Sequence, residues 1–335
     1  GVNVGGRDAQ KQHFAAALAV NFFTWLRAEV LRACERLPHA GLRYEGIPVR
    51  LTVPAFAHGA DVTTHPGCKL LQAAAAKAGW PLPPDRPVVS EPYANAVGVL
   101  TKGANVLKKD RFDLGATFGK GPLVTSLKDP EHYAPYRAVV IDVGAFTTDF
   151  AALTMTPDGP AESDPDRAFR VAQHSVPLGM SDLDERAFRV LPAEKAAWLR
   201  ARSADEVDGF RESVYTEGKP VRSGQLGPIG AGAELEAIRA AVADFAAELT
   251  DEVKRFLAPL ESAGMSELVL TGGGMFVPAL RDAVLAAAGD GFAKVHGPGL
   301  KKPAGGKPVD KLDPRFTRGG SAVGGVSLYY EREFA

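Results

Sequence analysis

AVVIDVGAFTTDFAALTM, Ala138 to Met155, is the stretch from which the fold is read. It opens on an apolar run, Val139-Val140-Ile141, of the kind that forms a buried strand. The run reaches Asp142, turns at Gly144, and sets out Thr147, Thr148 and Asp149 before a second apolar run from Phe150 to Met155. Strand, short polar turn and strand make a β-hairpin whose turn sits at a cleft. Two uses of that turn fit the residues equally well. Glycine lets a backbone come close to a ligand, N–H and threonine O–H groups donate to phosphate oxygens, and a carboxylate holds Mg²⁺ through its water shell. Equally, Asp and Thr serve an ordinary tight hairpin by satisfying turn hydrogen bonds.

Composition narrows the classes. The 335 residues suggest two domains, and the 45% hydrophobic content supplies a core for each. A formal net charge of −1 leaves no global basic field, so neither nucleic acid nor an anionic membrane is expected as a partner. Two cysteines, Cys34 and Cys68, point to a reducing compartment rather than a disulfide framework, and neither lies in a zinc-type cluster. Apolar stretches are interrupted short of the ~18 residues a membrane span needs, so no such helix is expected. The opening GVNVGGRDAQ lacks a leader pattern, and a cytoplasmic location follows.

Away from the hairpin, strands alternate with helical patterns. Asp8–Leu37 carries Phe14, Leu18, Phe22, Trp25, Leu26, Val30 and Leu31 at helical spacing, stopped by Pro38. Val49–Phe56 is strand-like, His65–Trp80 helical, Pro87–Ser90 a short strand, and Glu91-Pro92 opens an Ala-rich helix to Leu100. Residues 101–135 read as an inserted loop. Phe169–Val176 is a strand, and Leu178–Phe188 starts a helix capped by Ser181 or Asp182. Lys195–Tyr215 reads as a charged helix, Val221–Gly232 as a Gly-rich linker and Ala233–Leu260 as a long amphipathic helix. Glu267–Leu270 is a strand running into Thr271-Gly272-Gly273-Gly274, then a helix through Val277-Pro278 to about Ala287. Phe292–Val295 is a further strand, 301–314 a loop, and Gly319–Tyr330 a small-residue helix.

Three sites place polar or glycine residues where a strand ends: Ser90-Glu91-Pro92, Asp142 to Asp149, and Leu270 to Gly274. Ligands of α/β folds gather at such ends. In this order, with LTVPAF upstream and PLGMSDLD between, they resemble the nucleotide-binding domain of the seventy-kilodalton heat-shock chaperone family, within the actin, hexokinase and heat-shock superfamily. VSEPYANAVGVL looks like that family's Glu-Pro helix, VVIDVGAFTTDF like its second phosphate loop, and LVLTGGGMFVPALRDAV like its adenosine loop. PLGMSDLDERAF looks like the element that opens the outer part of lobe two.

The resemblance implies an α/β, two-lobed actin-like ATPase fold with ribonuclease H-like sheets and flanking helices. Lobe one would span 1–135, with 101–135 inserted, and lobe two 136–318. The second lobe would have a core at 136–182 and 263–318 and an outer part at 183–262; residues 319–335 would return to lobe one. It further implies Mg-ATP or Mg-ADP between the lobes, with hydrolysis by positioning and charge stabilisation. Asp142 would hold Mg²⁺ through water and help place the attacking water, and Glu91 would orient that water. Gly144, Ala145, Phe146, Thr147 and Thr148 would surround the terminal phosphates, with Asp149 supporting the turn or the metal shell. Gly179 would lie beside the nucleoside, and Gly272, Gly273, Gly274 and Met275 would let ribose and α-phosphate approach. A protein partner or client would read the nucleotide state.

The likeness departs in places. Nothing before Val49 resembles the family's first phosphate loop or catalytic lysine, which would leave the first sheet bare-edged and a helix half uncovered; a truncated or partly recorded chain is expected, ahead of a remodelled first lobe with impaired hydrolysis. The nearest string, Asp113-Leu114-Gly115-Ala116-Thr117, reads as a coincidental turn. The Gln-Arg relay after Pro54 is absent, and Phe146 replaces a glycine beside the turn, where it is expected to point into the core. Arg200, Arg202 and Arg211 are adenine-side candidates, weighed against a solvated charged face. An actin-like filament-forming ATPase and a pseudo-ATPase scaffold remain the alternative functions.

Overall fold

The computed structural model describes residues 4–35, 46, 48–53, 65–84, 87–100, 137–155, 169–263, 265–300 and 309–312. The chain is mixed α/β and divides into two compact units, Gly1–Glu91 and Pro92–Ala335. The division falls at the head of the Glu-Pro helix. The loop 101–135, its Asp113–Thr117 string and the helix expected at 319–330 lie outside the described residues.

In the first unit, α1 (Val4–Cys34) packs on α2 (Pro66–Lys77). Trp80 Nε1 donates to the Phe23 carbonyl at 2.9 Å, and the Arg27 side chain lies over Gly79. His65 caps α2 by accepting from Gly67 N, and Pro66 occupies the first helical position, where a missing N–H costs nothing. Strands β1 (Leu51–Val53) and β2 (Val88–Ser90) pair in parallel, Leu51 opposite Val88, over a small core of Val53, Cys68 and Val88.

The outer face of α1 is bare. Phe14, Leu18, Phe22 and Trp25, spaced four, four and three residues apart, are each more than half exposed. The 21-residue segment Phe14–Cys34 contains an 18-residue window of mean hydropathy 1.3, long and apolar enough to cross a membrane, and none of that window is buried. Asn21, Arg27 and Glu29 interrupt it, so its unbroken apolar runs stay well short of that length. Core helices and leader sequences share these properties.

The second unit is built on a six-stranded sheet in the order β10-β9-β8-β3-β4-β5. Its central strand is β3 (Arg137–Val143), antiparallel to β4 (Thr148–Met155), which pairs antiparallel with β5 (Phe169–Val176). On the other side β8 (Met265–Thr271), β9 (Phe292–Pro298) and β10 (Val309–Leu312) run parallel to β3. Ala138 to Ile141 are fully buried on both faces of β3, which is why that strand reads as an unbroken apolar run.

Helix α3 (Glu91–Leu100) precedes the sheet. Between β5 and β8 come α4 (Met180–Arg189), α5 (Ala193–Arg200), α6 (Ala204–Phe210), a π-helical turn Arg211–Thr216, a small hairpin β6 (Val221–Arg222) and β7 (Pro228–Ile229), and α7 (Ala233–Leu257). Helix α8 (Pro278–Ala288) follows β8 and packs on α7. Ile238, Val242, Phe245, Leu249, Val253 and Phe256 recur three and four apart along α7 and are all buried, joining the core that covers the sheet. Each such side chain contributes up to ~1.5–3 kcal/mol.

Local readings are corrected in three places. The expected helix over 195–215 is broken at Ser203, whose hydroxyl accepts from Glu206 N while the Glu206 carboxylate accepts from Ser203 N, a capping box that starts a new helix. The linker 221–232 contains β6 and β7, turned through Gly224 and Gly227 at positive φ. The loop after residue 301 contains β10.

Candidate functional site

Asp142 is the penultimate residue of β3 and is 5% exposed. Its antiparallel partner in register is Asp149, 3% exposed, so the two carboxylates stand directly opposite on one face of the hairpin. Like charges in that arrangement repel unless donors or a cation face them. Thr147 Oγ1 donates to Asp149 Oδ2 at 2.8 Å, and Asn95 Nδ2, from α3, donates to Asp142 Oδ2 at 2.6 Å. The turn closes with Gly144 N donating to the Thr147 carbonyl at 2.9 Å, which leaves Ala145 and Phe146 at its tip.

Two further segments, far away in the chain, meet this turn. The head of α4 docks on it: Met180 N donates to the Gly144 carbonyl at 3.0 Å and Ser181 N to the Ala145 carbonyl at 2.8 Å. The N-cap is Gly179, not Ser181 or Asp182. Turn carbonyls take the place of a capping side chain, and a Cβ on Gly179 would lie 2.4 Å from the Phe146 carbonyl carbon. The glycine turn after β8 arrives from the other side, because β8 is the parallel neighbour of β3 and Thr271 is in register with Asp142. Gly272, at φ +85°, comes so close that a Cβ would sit 2.3 Å from Asp142 Oδ1. A Cβ on Gly274 would be 2.2 Å from Val143 Cγ1, whereas Gly273 is open on that side. Asp142, Val143 and Gly144 are thus the meeting point of the hairpin turn, the head of α4 and the glycine turn.

Several expected site residues take other roles. Phe146 is 77% exposed and does not point into the core; the four-residue turn places it at the tip, away from the apolar faces of both strands. The Thr148 hydroxyl is fully buried and donates to the Leu178 carbonyl, fastening β4 to the strand-to-helix junction. Met275 is fully buried in the core beneath the short 3-10 turn Gly273–Phe276, so only its backbone lies at the glycine turn. Glu91 is the first residue of α3, one helical turn before Asn95, and closes the first compact unit.

The three arginines are not held for adenine. Arg200 lies on Glu185 through contacts of 2.9–3.3 Å, and Arg202 stacks over Trp198 at 4.3 Å while pairing with Glu206. Arg211 bridges Asp184 and Asp208, with Tyr215 Oη donating to Asp184 at 3.0 Å. Burial raises the Asp184 pKa above its ordinary 3.8 and the Arg211 guanidinium pulls it back; burial also pushes the Tyr215 phenol up. These pairs bind α4, α5, α6 and the π-turn into one block.

Among the described residues no group of three or more His, Cys, Asp or Glu is arranged to hold a bare metal ion. The oxygen-only pair Asp142 and Asp149 does fit a hydrated Mg²⁺, which keeps most of its waters and needs only one or two carboxylates. Sequence reading overlooked Asn95 and Thr271. Asn95 carried a usable signal, an amide four residues after Glu91 in an otherwise apolar helix. No protein-family model matches the chain, and no curated protein matches it.

Proposed function

We propose that the chain is an ATP-binding module of two-lobed, actin-like fold, similar to the nucleotide-binding domain of the heat-shock chaperones. It takes Mg-ATP or Mg-ADP at the Asp142–Gly144 turn and hydrolyses ATP to ADP and phosphate. The observation that carries the reading is the meeting of three chain-distant turns at one strand end, each pair in a contact that only glycine permits: Gly179 on Phe146, Gly272 on Asp142 and Gly274 on Val143. Backbone brought this close without side chains is how phosphates are cradled. Bound Mg²⁺ supplies charge neutralisation for the phosphates. Asp142 and Asp149 orient its water shell, Thr147 holds Asp149 in place, and Gly273 leaves the approach open. The change of nucleotide passes to a protein partner. Cys34 and Cys68, neither of them in a disulfide among the described residues, suit a cytoplasmic setting.

A pseudo-ATPase that binds without turnover is favoured by one observation, the exposed bulk of Phe146 at the tip of the turn. Calorimetric titration of Mg-ATP and Mg-ADP, with Asp142→Ala alongside, tests the main reading. Dissociation constants on the order of micromolar, lost in Asp142→Ala, are expected, as is turnover lost in Glu91→Ala. A folded chain that takes up neither nucleotide refutes it. Binding without turnover selects the pseudo-ATPase.

A further inference from the structure

Asn95 is the one side-chain amide in EPYANAVGVL, a helix otherwise apolar or small beyond its first turn, and it is 3% exposed. A buried amide in such a helix is costly unless it is hydrogen-bonded, and its Nδ2 donates to Asp142 Oδ2 at 2.6 Å. A carboxylate oxygen only accepts, so chemistry dictates which end of the amide faces it. The other oxygen, Oδ1, lies against the bare backbone of Gly272, where a Cβ would be 2.3 Å away. One oxygen is therefore held by α3 and the other walled by the glycine turn, so the carboxylate plane has one setting. Asp149 faces it across the ladder.

We propose that Asn95 is the positioning residue of the cation-nucleotide site and the tie by which that site's occupancy is felt in α3. The proposal rests on the nucleotide reading given above. A hydrated cation is bound through the direction of its carboxylate lone pairs, and the group that orients a ligating carboxylate tunes the affinity. Drawing Asp142 into a cation's water shell changes the acceptor that Asn95 sees. By reciprocity, whatever moves α3 changes the cation affinity by the same factor. The relay expected from residues after Pro54 is missing from the sequence, and this bond is a different route out of the site.

Two arms test this on the full chain. In the first, without nucleotide, Asn95→Leu and Asp142→Leu, which keep volume and remove the donor or the acceptor, are combined in a double-mutant cycle on urea unfolding. The two losses should be non-additive by roughly tenfold or more in the unfolding constant; additivity within about threefold overturns the tie. In the second, ADP affinity is measured with Mg²⁺ and with EDTA. The ratio of the two should fall about tenfold in Asn95→Leu and return to within about threefold of wild type in Asn95→Ser, which keeps a donor. Equal losses with and without Mg²⁺ indicate a merely structural residue and overturn the positioning role. Should the wild-type chain bind no nucleotide, the site reading fails, while the first arm still decides whether Asn95 and Asp142 are coupled.

Discussion

Gly272→Ala is the sharpest perturbation of the site, because two costs fall on one atom. Gly272 has φ +85° and ψ 162°, a region open essentially to glycine alone, and an alanine held there costs about 1–3 kcal/mol. The added methyl would also lie 2.3 Å from Asp142 Oδ1 and 2.4 Å from the Val143 carbonyl oxygen. Neither can give way cheaply: Val143 is a ladder residue of the central strand, and Asp142 is held by Asn95. Overpacking of this kind adds about 1–3 kcal/mol. A total of about 2–6 kcal/mol is a large share of the stability of an ordinary domain. Gly273→Ala is the internal control, since a Cβ there meets nothing within 4 Å, and its effect should stay within about 0.5 kcal/mol. Hydrogen exchange read on peptides from β3 and β8 measures both variants in the same place. Gly272→Ala should raise the opening constant by at least tenfold, at about 1.4 kcal/mol per tenfold. Equal protection in the two alanine variants would refute the close approach of the glycine turn to Asp142.

Two further outcomes concern the block around α4. Arg211→Ala leaves Asp184, 5% exposed, without its guanidinium, and should destabilise by about 2–4 kcal/mol near neutral pH. Burial already raises the Asp184 pKa, and losing Arg211 raises it further, so the folded state keeps its proton longer than the unfolded chain does. The deficit should therefore shrink as pH falls toward 3.8, and urea midpoints for the variant that run parallel to wild type between pH 7 and 4 would count against it. Glu248 behaves in the opposite sense. Hydrogen bonds from Arg186 lower its pKa below 4.5, so its contribution is present above that pH and is lost on acidification. Glu248→Gln should remove about 0.5 kcal/mol at neutral pH and nothing at acid pH, as thermal melts at both pH values would show.

The hairpin was legible in the sequence because β3 is buried on both faces, so its residues could only be apolar until the strand reached the edge at Asp142. The glycine turn was legible for the same reason: Leu268-Val269-Leu270 is fully buried, and Gly272 to Gly274 follow at once. What remained hidden were features whose cause is tertiary. Nothing local in GAFT says which way Phe146 points; the Gly144–Thr147 closure decides it. Thr147 and Thr148 look alike in sequence, yet alternation along the strand sends one hydroxyl to Asp149 and the other to the Leu178 carbonyl. The Ser203 and Glu206 capping box was in plain view, but the charged run on both sides of it masked the break.

The meeting of the turns follows from the sheet order more than from any one motif. β8 is parallel to β3 and adjacent to it, so the two strands must finish at the same edge, and the residue after Thr271 has to pass beside Asp142. A side chain on that residue would collide with the carboxylate, which makes glycine at 272 a consequence of register. β4 runs back from this edge and β5 returns to it, Thr148 opposite Val176, so α4 must begin there too, and its first N–H groups find the carbonyls of the hairpin turn. Gly179 is then required by the approach of Phe146 backbone, as Gly272 is by Asp142. Gly179 and the pair Gly272 and Gly274, on turns far apart in the chain, are explained by one strand end. The residue this topology does not require is Asn95, which comes from a helix preceding the sheet and reaches Asp142 through its side chain alone.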